Sequence, residues 1–390
     1  LGKMTLTSGI PTKAYVVDYK HAPFVLRDVM LDEVQPNEVL VEIKYTGICH
    51  TDIVVQHGGM PIGSYPAVLG HEGVGLVRHV GSNVLDKALS QGDIVSLSFH
   101  SCGMCSACKA GRCGGCPHMT ETNFINTARN SGNGRKSPIS LPDGTPVHGQ
   151  FFGQSSLSKL AIVAETCVVR IPSARSDDLP FLAPLSCGYL TGAGTILNVL
   201  KPSKSSTVVI LGMGAVGLAS LMAAVAMGVE TVIVVDVMDT KLALSLALGA
   251  KHAINTKDAA TDLEASIKGI CPGGADYIVD TTGVAALHGQ AVKALAHAGT
   301  LAFVGVPPPT ATLQIETLQF LTSCKKLIGV IEGDANPREL IPMLVDLYHQ
   351  GRFPIDRISK CYPALSLDQA IADLKNGHVI KPILSWEEVH

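Results

Sequence analysis

Apolar residues are arranged differently in the two halves of this 390-residue chain. Up to about Cys187, short β-branched runs such as residues 39–45, 73–80 and 93–99 alternate with stretches that contain Gly and Pro. Short strands bounded by turn-forming residues are typical of all-β architectures. The first half is therefore predicted to form a β-rich, partly closed barrel with loops.

From about Gly188, apolar runs of strand length alternate with runs of helical length. The pattern predicts strands at residues 207–211, 231–235, 277–280, 300–305 and 327–331. It predicts helices near residues 216–228, 239–248, 284–296 and 337–349. Strands and helices in alternation form a doubly wound parallel sheet, so the chain is predicted to be an α/β protein whose second domain has this sheet.

Hydropathy and charge argue against two classes of partner, membranes and nucleic acids. Residues 205–229 carry no charge and are long enough to cross a membrane, but the segment begins as a strand and contains glycines. A buried strand followed by a buried helix explains it better, so no membrane association is predicted. The net charge of −3 and the lack of a basic stripe argue against a nucleic-acid partner.

A glycine motif, Gly212-Met-Gly214-Ala-Val216-Gly217, separates the first strand of the second half from its helix. Such glycines allow a tight turn and the close approach of a pyrophosphate, whose charge the helix N-terminus favours. The next strand ends in Asp236, nineteen residues after Gly217. Its carboxylate would accept hydrogen bonds from the adenosine ribose and repel a 2′-phosphate, so NAD is predicted in preference to NADP. An ordinary strand–helix turn is the alternative.

A cluster of cysteines is formed by Cys102, Cys105, Cys108 and Cys116. Four thiolates at this spacing can close a tetrahedral site, for which zinc is the expected metal. Four protein ligands leave no position for a substrate, so this zinc would be structural. A reduced loop without metal, or a disulfide pair, is the alternative.

A second metal site is suggested by Cys49, His71 and Cys187, which supply sulfur, nitrogen and sulfur. Three protein ligands leave a fourth zinc position open for water or an alcohol oxygen. No spacing rule joins residues this far apart, and a lone Cys or His is more often structural.

Together these motifs resemble those of the zinc-dependent medium-chain alcohol dehydrogenases, and the resemblance covers nearly the whole chain. It rests on these further motifs in order: Gly70-His-Glu-Gly73, Gly92-Asp93, Cys187-Gly-Tyr-Leu-Thr191-Gly, Val304-Gly-Val-Pro307 and Ile380-Lys-Pro-Ile383. Within the family, Cys49-His-Thr-Asp52, Gly149-Gln-Phe-Phe-Gly-Gln-Ser155 and Gly329-Val-Ile-Glu-Gly-Asp334 look most like the aryl (benzyl-type) enzymes and their fungal relatives.

The resemblance implies a domain organisation. Residues 1–188 are expected to form a GroES-like catalytic zinc domain, with a structural zinc lobe at residues 99–118. Residues 189–331 are expected to form an NAD-binding Rossmann domain, and residues 332–390 to return to the catalytic domain. Cys113 breaks the spacing of the family's zinc lobe, so it is interpreted as a spare thiol and Cys116 as the ligand.

The resemblance also implies roles around the catalytic zinc. Thr51 would be the first proton relay, passing the alcohol proton to the nicotinamide ribose, and a helix-capping role is compatible with this. Val54 stands where many members have a relay histidine, so the relay would end in water or at His50. Asp52 would accept a hydrogen bond from His71. Glu72 would lie close to the zinc, or would be a buried acid paired with Lys381.

Other residues match cofactor and substrate contacts of the family. His50 and Lys381 match contacts to the pyrophosphate and Lys241 a contact to the adenosine ribose, with solvated surface charges as the alternative. The residues expected around the nicotinamide are Val216, Thr191, Val304, Val306 and Val330. The residues expected to line a substrate pocket are Phe99, Phe151 and Phe152, for which core packing is equally plausible.

The sequence therefore predicts a zinc- and NAD-dependent enzyme that interconverts a primary, aromatic or allylic alcohol and its aldehyde. The alternatives are a glutathione-dependent formaldehyde or nitrosothiol dehydrogenase, and a catalytically degenerate NAD-binding zinc protein. The complete set of Cys49, His71, Cys187 and Thr51 argues against the last.

The assembly and the compartment are also predicted. Residues 313–331 carry more apolar side chains than one sheet edge needs. The resemblance implies that an edge strand here pairs with that of a second copy, which predicts a homodimer or a homotetramer of two such dimers. The predicted zinc thiolates need a reducing compartment, which favours the cytoplasm.

Overall fold

The computed structural model describes residues 9–125, 129, 137–258 and 261–389, which fall into two compact units. The first unit contains the chain up to Cys187 together with Asn336–Asp346 and the segment from Ile355 onward. The second contains Gly188–Ala335 and Leu347–Pro354. The predicted division differs from this one at three places, since residues 188, 332–335 and 347–354 belong to the second unit.

Side-chain and backbone contacts explain two of these differences. The Arg352 guanidinium donates to the carbonyl of Ala226, which ties the segment 347–354 to the second unit. The backbone of Gly333 lies so close to Gly194 that a Cβ on Gly194 would be 2.7 Å from the Gly333 oxygen. Such contacts join residues far apart in sequence, so hydropathy patterns do not reveal them.

The first unit is built mainly from short strands. Its elements up to Cys187 are β1 (Ile10–Val17), β2 (Phe24–Leu31), β3 (Glu38–Gly47), α1 (His50–Gln56), β4 (Ala67–Val68), β5 (Gly73–Val80), β6 (Ile94–Leu97), α2 (Ser106–Lys109), β7 (Ile139–Ser140), β8 (Pro146–Val147), β9 (Leu160–Ala164), β10 (Val168–Arg170) and α3 (Leu179–Leu182).

The second unit alternates strands and helices. Its elements are α4 (Gly188–Gly194), β11 (Thr207–Leu211), α5 (Ala215–Ala226), β12 (Thr231–Asp236), α6 (Asp239–Ala247), β13 (His252–Asn255), α7 (Leu263–Ile270), β14 (Ala275–Asp280), α8 (Ala285–Ala294), β15 (Leu295–Phe303), α9 (Thr317–Thr322) and β16 (Lys326–Gly329). The chain ends with α10 (Pro337–His349), β17 (Ser359–Pro363), α11 (Leu367–Lys375) and β18 (Lys381–Ser385).

Two sheets form the first unit, as the sequence predicted for a β-rich domain. One has the strand order β4-β1-β2-β7-β8, and the other has the order β10-β6-β5-β3-β18-β17, with β9 also pairing with β3. Val39, Val41 and Ile43 of β3 are fully buried, and so is nearly all of Leu40 between them. The first residues of this strand are therefore buried on both faces, whereas Glu42 and Lys44 are partly exposed.

The C-terminal strand completes the second of these sheets. Strand β18 lies antiparallel to β3, with Ile383 opposite Gly47, and parallel to β17. The following Trp386 is fully buried, and its indole N–H donates to Thr46 Oγ1 at 3.1 Å. The end of the chain is therefore part of the core of the first unit.

The second unit contains the predicted parallel sheet, with the order β13-β12-β11-β14-β15-β16. Successive strands run outward in one direction from β11 and in the other direction from β14. The order thus reverses between β11 and β14, and ligands of such sheets bind at the carboxyl ends of the strands at this point. Strand β13 was not predicted, because it has only four residues, of which one, Ile254, is buried. Helices α4, α7 and α9 were not predicted either.

The uncharged segment 205–229 forms β11 and α5, as predicted. Its strand residues from Val208 to Leu211 are fully buried, and so are most residues of the helix. No helix of the described residues combines the length and apolar character needed to span a bilayer. The missing charges are explained by burial inside the second unit.

Candidate metal centres and cofactor site

Three residues from distant parts of the chain meet in the first unit. One donor atom from each of Cys49, His71, Cys187 and the neighbouring Glu72 lies within 4.8 Å of the other three. Cys49 caps the N-terminus of α1, His71 precedes β5, and Cys187 follows a 3₁₀ turn. The structure thus brings together the three predicted ligands of the catalytic metal.

His71 is oriented by Asp52, the partner that the sequence suggested. Its Nδ1 lies 3.0 Å from Asp52 Oδ1, and both side chains are buried. Because a carboxylate only accepts hydrogen bonds, Nδ1 carries the proton and Nε2 presents a lone pair. This buried Nε2 has no hydrogen-bond partner among the described residues. An orphaned imidazole nitrogen beside two thiols fits a zinc ligand.

Asp52 also fixes the backbone on both sides of the site. Its Oδ1 accepts from the N–H of Gly70 at 3.0 Å, and its Oδ2 accepts from the N–H of Cys49 at 3.1 Å. One buried carboxylate therefore positions the backbone of one thiol ligand and the ring of the imidazole ligand.

A buried ion pair lies beside these ligands. The Lys381 ammonium donates to Glu72 Oε1 at 2.6 Å and to the carbonyl of Ile48 at 3.2 Å. Lys381 is 2% exposed, so the alternative of a solvated surface charge is wrong for this residue. Its contact with a pyrophosphate stays a prediction. Gly47 makes room for the pair, since a Cβ there would lie 2.0 Å from Glu72 Oε2.

The charges in this cluster shift one another's titration. A hydrogen bond from Cys187 and the positive charge of Lys381 lower the pKa of the Cys49 thiol well below its usual range, although burial opposes this. Burial raises the pKa of Glu72 to about 7, against the influence of Lys381. Burial also disfavours the Lys381 ammonium, but the negative charges of Glu72 and Cys49 raise the pKa of Lys381. The cluster thus favours the thiolate that a metal requires.

The second cluster has the composition predicted for a structural zinc site. The Sγ atoms of Cys102, Cys105, Cys108 and Cys116 lie within 4.8 Å of one another. Backbone N–H groups of Cys105 and Cys108 donate to the preceding sulfurs at 3.4 Å. The N–H groups of Met104 and Cys105 lower the pKa of Cys102 to about 6, although burial acts in the opposite direction. Four convergent sulfurs fit a tetrahedral zinc.

The fifth cysteine of this lobe, Cys113, is not part of that group. It lies on the 3₁₀ turn Cys113–Gly115 and is half-buried. Burial raises the pKa of its thiol.

The predicted pocket aromatics are packed around the metal-site histidine. The ring of Phe152 stacks on His71 at 4.6 Å, and Phe151 meets the same ring edge-on at 5.7 Å. Both side chains are buried, as is Phe99. Phe124, which the sequence did not single out, contacts both Phe151 and Phe152. A substrate-lining role for these residues stays a prediction.

Gln154, which lies in the motif at residues 149–155, positions the loop of the candidate metal site. The Gln154 amide donates to the carbonyls of His71, Leu97 and Ser98 at 3.0, 2.8 and 3.0 Å. Its oxygen accepts from the N–H of Gly73 at 3.0 Å. Gln154 thus fixes the loop that carries His71. The only sequence signal for this role is that Gln154 belongs to the same motif as Phe151 and Phe152.

In the second unit, the glycine motif forms a tight turn between β11 and α5. Gly212 has φ +89°, and a Cβ on Gly217 would lie 1.8 Å from the Gly212 oxygen. Gly214 caps the N-terminus of α5. Side chains at Gly212 and Gly217 would open this turn, which lies at the strand-order reversal where a pyrophosphate is expected.

Asp236 lies beside this turn at the carboxyl end of β12. Its Oδ2 accepts from the N–H of Met213 at 2.6 Å, and its Oδ1 accepts from Val237 and Met238 at 2.8 and 3.0 Å. The carboxylate is only partly buried and retains acceptor capacity for ribose hydroxyls. Lys241 lies close by on α6 and is also partly exposed.

The remaining cofactor candidates are distributed over both units. Val216 lies in the first turn of α5, and the Thr191 hydroxyl on α4 donates to Glu332 Oε2 at 3.2 Å. Val304 and Val306 follow β15, and Val330 follows β16. Val306 is 69% exposed and Val330 is 5% exposed. His50 and Thr51, which begin α1, belong to the first unit, and His50 is exposed.

Comparison with known proteins defines the class of this protein. Residues 35–173 match the model of the alcohol dehydrogenase GroES-like domain, and residues 215–349 match that of the zinc-binding dehydrogenases. The chain belongs to the zinc-dependent medium-chain alcohol dehydrogenase family, whose members are zinc- and NAD-dependent oxidoreductases acting on small alcohols.

Several relatives are similar over nearly the whole chain. A geraniol dehydrogenase of Castellaniella defragrans is 37% identical over 96% of this chain and 98% of its own length. The crystal structure of a benzyl alcohol dehydrogenase from Acinetobacter calcoaceticus gives a TM-score of 0.89 at 37% identity, covering 96% of this chain and 99% of that one. An alcohol dehydrogenase zinc-binding domain protein from Burkholderia ambifaria gives 0.91 at 38% identity, covering 97% and 99%.

We predict that the four-cysteine cluster stabilises the fold and that Cys113 does not. Cys105→Ala should lose one zinc ion per chain and unfold at a lower temperature, since metal binding contributes free energy of folding. Cys113→Ala is the matched control and should keep both zinc content and melting temperature. Metal analysis and thermal unfolding measure this. Loss of zinc from Cys113→Ala but not from Cys116→Ala would contradict the assignment.

We predict that Asp236 selects NAD over NADP. Asp236→Ala should shift the ratio of the two kcat/KM values toward NADP by ~100-fold or more, because it removes both ribose acceptors and a negative charge. Asp236→Asn retains an acceptor for the Met213 N–H and separates the charge effect from damage to the turn. Steady-state kinetics with both cofactors provide the measurement. A wild-type enzyme that prefers NADP would disprove the prediction.

Proposed function

We propose that the protein interconverts a primary allylic or aromatic alcohol and its aldehyde, with NAD as the hydride carrier. The observation that carries this proposal is the convergence of three oriented donors, Cys49, His71 and Cys187, in a buried site. Three ligands leave a position for a substrate oxygen. The substrate class is supported by the names of the relatives, since geraniol is an allylic alcohol and benzyl alcohol is aromatic.

The two groups that the protein would hold supply the reactive chemistry. Zinc, when bound, is a Lewis acid for the alcohol or aldehyde oxygen, and NAD is the hydride acceptor. The protein's own residues hold the ligands still. Asp52 keeps the lone pair of His71 directed into the site. Phe152 covers one face of the His71 ring, and Phe151 contacts the ring edge-on, so both restrict its movement.

Thr51 would act as the first proton acceptor beside the ligands. Its hydroxyl lies in the first turn of α1, 3.7 Å from the sulfur of Cys49. From there it would accept the proton of the alcohol as the hydride leaves. Val54 cannot carry a proton further, so the exposed His50 beside Thr51, or water, would take it from the relay.

The buried pair of Glu72 and Lys381 would influence the charge of the site. Two thiolates and the Asp52 carboxylate would bring three negative charges into a buried region, of which a bound zinc ion would compensate two. The Lys381 ammonium offsets the charge of an ionised Glu72, and it adds net positive charge when Glu72 is protonated, which burial favours by raising the pKa of this carboxyl to about 7. Glu72 Oε2 has no hydrogen-bond partner among the described residues, so it is available to assist ligand exchange.

The proposal is tested by assaying benzyl, cinnamyl and short aliphatic alcohols and geraniol with NAD, each with and without glutathione. Allylic and aromatic alcohols should give the highest kcat/KM without glutathione. Activity that requires glutathione would favour the formaldehyde or nitrosothiol dehydrogenase instead. Two zinc ions per chain with no turnover of any alcohol would favour neither enzyme and would disprove the proposal.

We also propose a homodimer or a homotetramer of two such dimers. Strand β16 is the last strand of the parallel sheet, so one of its edges has no neighbour within the described residues. Large apolar side chains on nearby segments are exposed: Val306, Leu318, Leu321 and Ile331, at 69%, 74%, 72% and 60%. Pairing with a second copy would cover both features.

A cytoplasmic location is supported by the state of the thiols. No disulfide joins any of the eleven cysteines, all of which lie within the described residues, and six of them belong to the two candidate metal clusters. Thiol ligands must stay reduced to bind zinc, which a reducing compartment ensures.

We predict that Thr51 takes part in proton transfer. Thr51→Val keeps the shape of the side chain but removes the hydroxyl, so kcat should fall by ~10²–10⁴-fold while zinc content stays unchanged. Thr51→Ser retains a hydroxyl and is the matched control. Single-turnover measurement of NADH formation isolates the hydride step from product release. An unchanged rate for Thr51→Val would remove Thr51 from the mechanism.

We predict that the exposed apolar residues of α9 stabilise the dimer. Sedimentation of the wild type should give at least twice the 40.8 kDa of one chain. The double change of Leu318 and Leu321 to Glu should weaken association, because it places charges in an apolar interface. Leu85→Glu changes an equally exposed leucine of the first unit and should have no effect. A wild-type monomer at micromolar concentration would contradict the proposal.

A further inference from the structure

A buried histidine–carboxylate pair in the second unit has no role in the site described above. His288 Nε2 lies 2.9 Å from Asp280 Oδ2, and the two side chains are 6% and 0% exposed. Asp280 is the last residue of β14, and His288 lies in the first turns of α8. Because the carboxylate only accepts, His288 donates through its Nε2–H.

The other carboxylate oxygen fixes the turn between β14 and α8. Asp280 Oδ1 accepts from the Thr282 N–H at 2.9 Å and from the Thr282 hydroxyl at 2.6 Å. The Thr282 hydroxyl oxygen in turn accepts from the N–H of Val284 at 3.0 Å, at the start of α8. His288 thus supplies the third donor to a carboxylate that closes this turn.

The backbone of Asp280 fixes a second turn, which follows β15. Its carbonyl accepts from the N–H groups of both Val304 and Gly305 at 2.9 Å. The two turns touch through glycines, since a Cβ on Gly305 would lie 2.4 Å from the nitrogen of Gly283. The ring of Phe303, the last residue of β15, meets the His288 ring edge-on at 4.9 Å. The turns after β14 and β15 therefore form one interlocked structure around Asp280.

The position of these turns relates them to one half of a dinucleotide. The sheet order reverses between β11 and β14, and a dinucleotide lies across the carboxyl ends at this point. With Asp236 as the predicted ribose acceptor beside the glycine turn, the adenosine half would lie over β12. The nicotinamide half would then lie on the other side, over the ends of β14 and β15, where the interlocked turns are.

We propose that His288 is a positioning residue for the nicotinamide half of the cofactor site, acting through Asp280. This inference rests on the proposed function. His288 is buried beneath the turns and does not touch the cofactor. Its Nε2–H compensates a buried charge, and without this donor the carboxylate would reorganise the turns that it holds. The adenosine half depends on Asp236 and the glycine turn, which have their own hydrogen bonds.

The test compares the binding of two ligands, NADH and ADP-ribose, which lacks the nicotinamide. His288→Phe keeps a ring against Phe303 but removes the donor, whereas the amide nitrogen of His288→Gln can take the place of Nε2. Titration calorimetry should show the Kd of His288→Phe for NADH raised at least about tenfold, as expected for a lost hydrogen bond to a charged group. The Kd for ADP-ribose should stay within about twofold, and His288→Gln should bind both ligands nearly as the wild type does.

Controls make the outcome decisive. His297→Phe changes an exposed histidine near the other end of β15 and should affect neither ligand. If His288→Phe does not fold, His288→Asn replaces it, because the shorter amide does not reach Asp280. Equal weakening of both ligands, or no change in either, would overturn the inference while leaving the proposed function intact. A wild-type protein that binds neither ligand would overturn both.

Discussion

The candidate metal site depends on the carboxylate of Asp52. It accepts from the His71 ring and from two backbone N–H groups, those of Cys49 and Gly70. A buried carboxylate is stable only when its acceptors are satisfied, and here each donor belongs to the segment of a predicted metal ligand. The hydrogen bonds that stabilise the charge are therefore the ones that shape the site. Loss of this one group would disturb a thiol and an imidazole together.

The last strand of the chain brings a charged partner to the candidate metal site of the first unit. Lys381 begins β18, which pairs with β3 and so places the ammonium against Glu72. The pair is buried, and removing one partner would leave the other charge without compensation. In the second unit, Asp280 has a comparable place, since His288 and Thr282 satisfy its carboxylate. In both units, a buried carboxylate with several hydrogen-bond donors holds loops that belong to the proposed sites.

Some features could be predicted from the sequence because the residues that form them are close together in the chain. The four cysteines lie within fifteen residues, and the strand, glycine turn and helix from Thr207 to Ala226 are continuous. For such segments, spacing and local steric demand fix the geometry. In the structure, for example, a Cβ on Gly217 would lie only 1.8 Å from the Gly212 oxygen. The parallel sheet and the β-rich first half followed from the periodicity of apolar residues, which reflects burial of strands and helices.

Other features were decided by the tertiary structure alone. Sequence spacing does not link Cys49 to Cys187, and only the family resemblance suggested that they share a site. The sequence suggested the burial of Lys381 only as one of two alternatives. It did not predict the hydrogen bonds of Gln154 or the pairing of His288 with Asp280. Each depends on strands and turns that meet through sheet pairing over long distances in the chain. Local sequence determines which elements form, whereas the packing of those elements determines which polar groups become buried together and must satisfy one another.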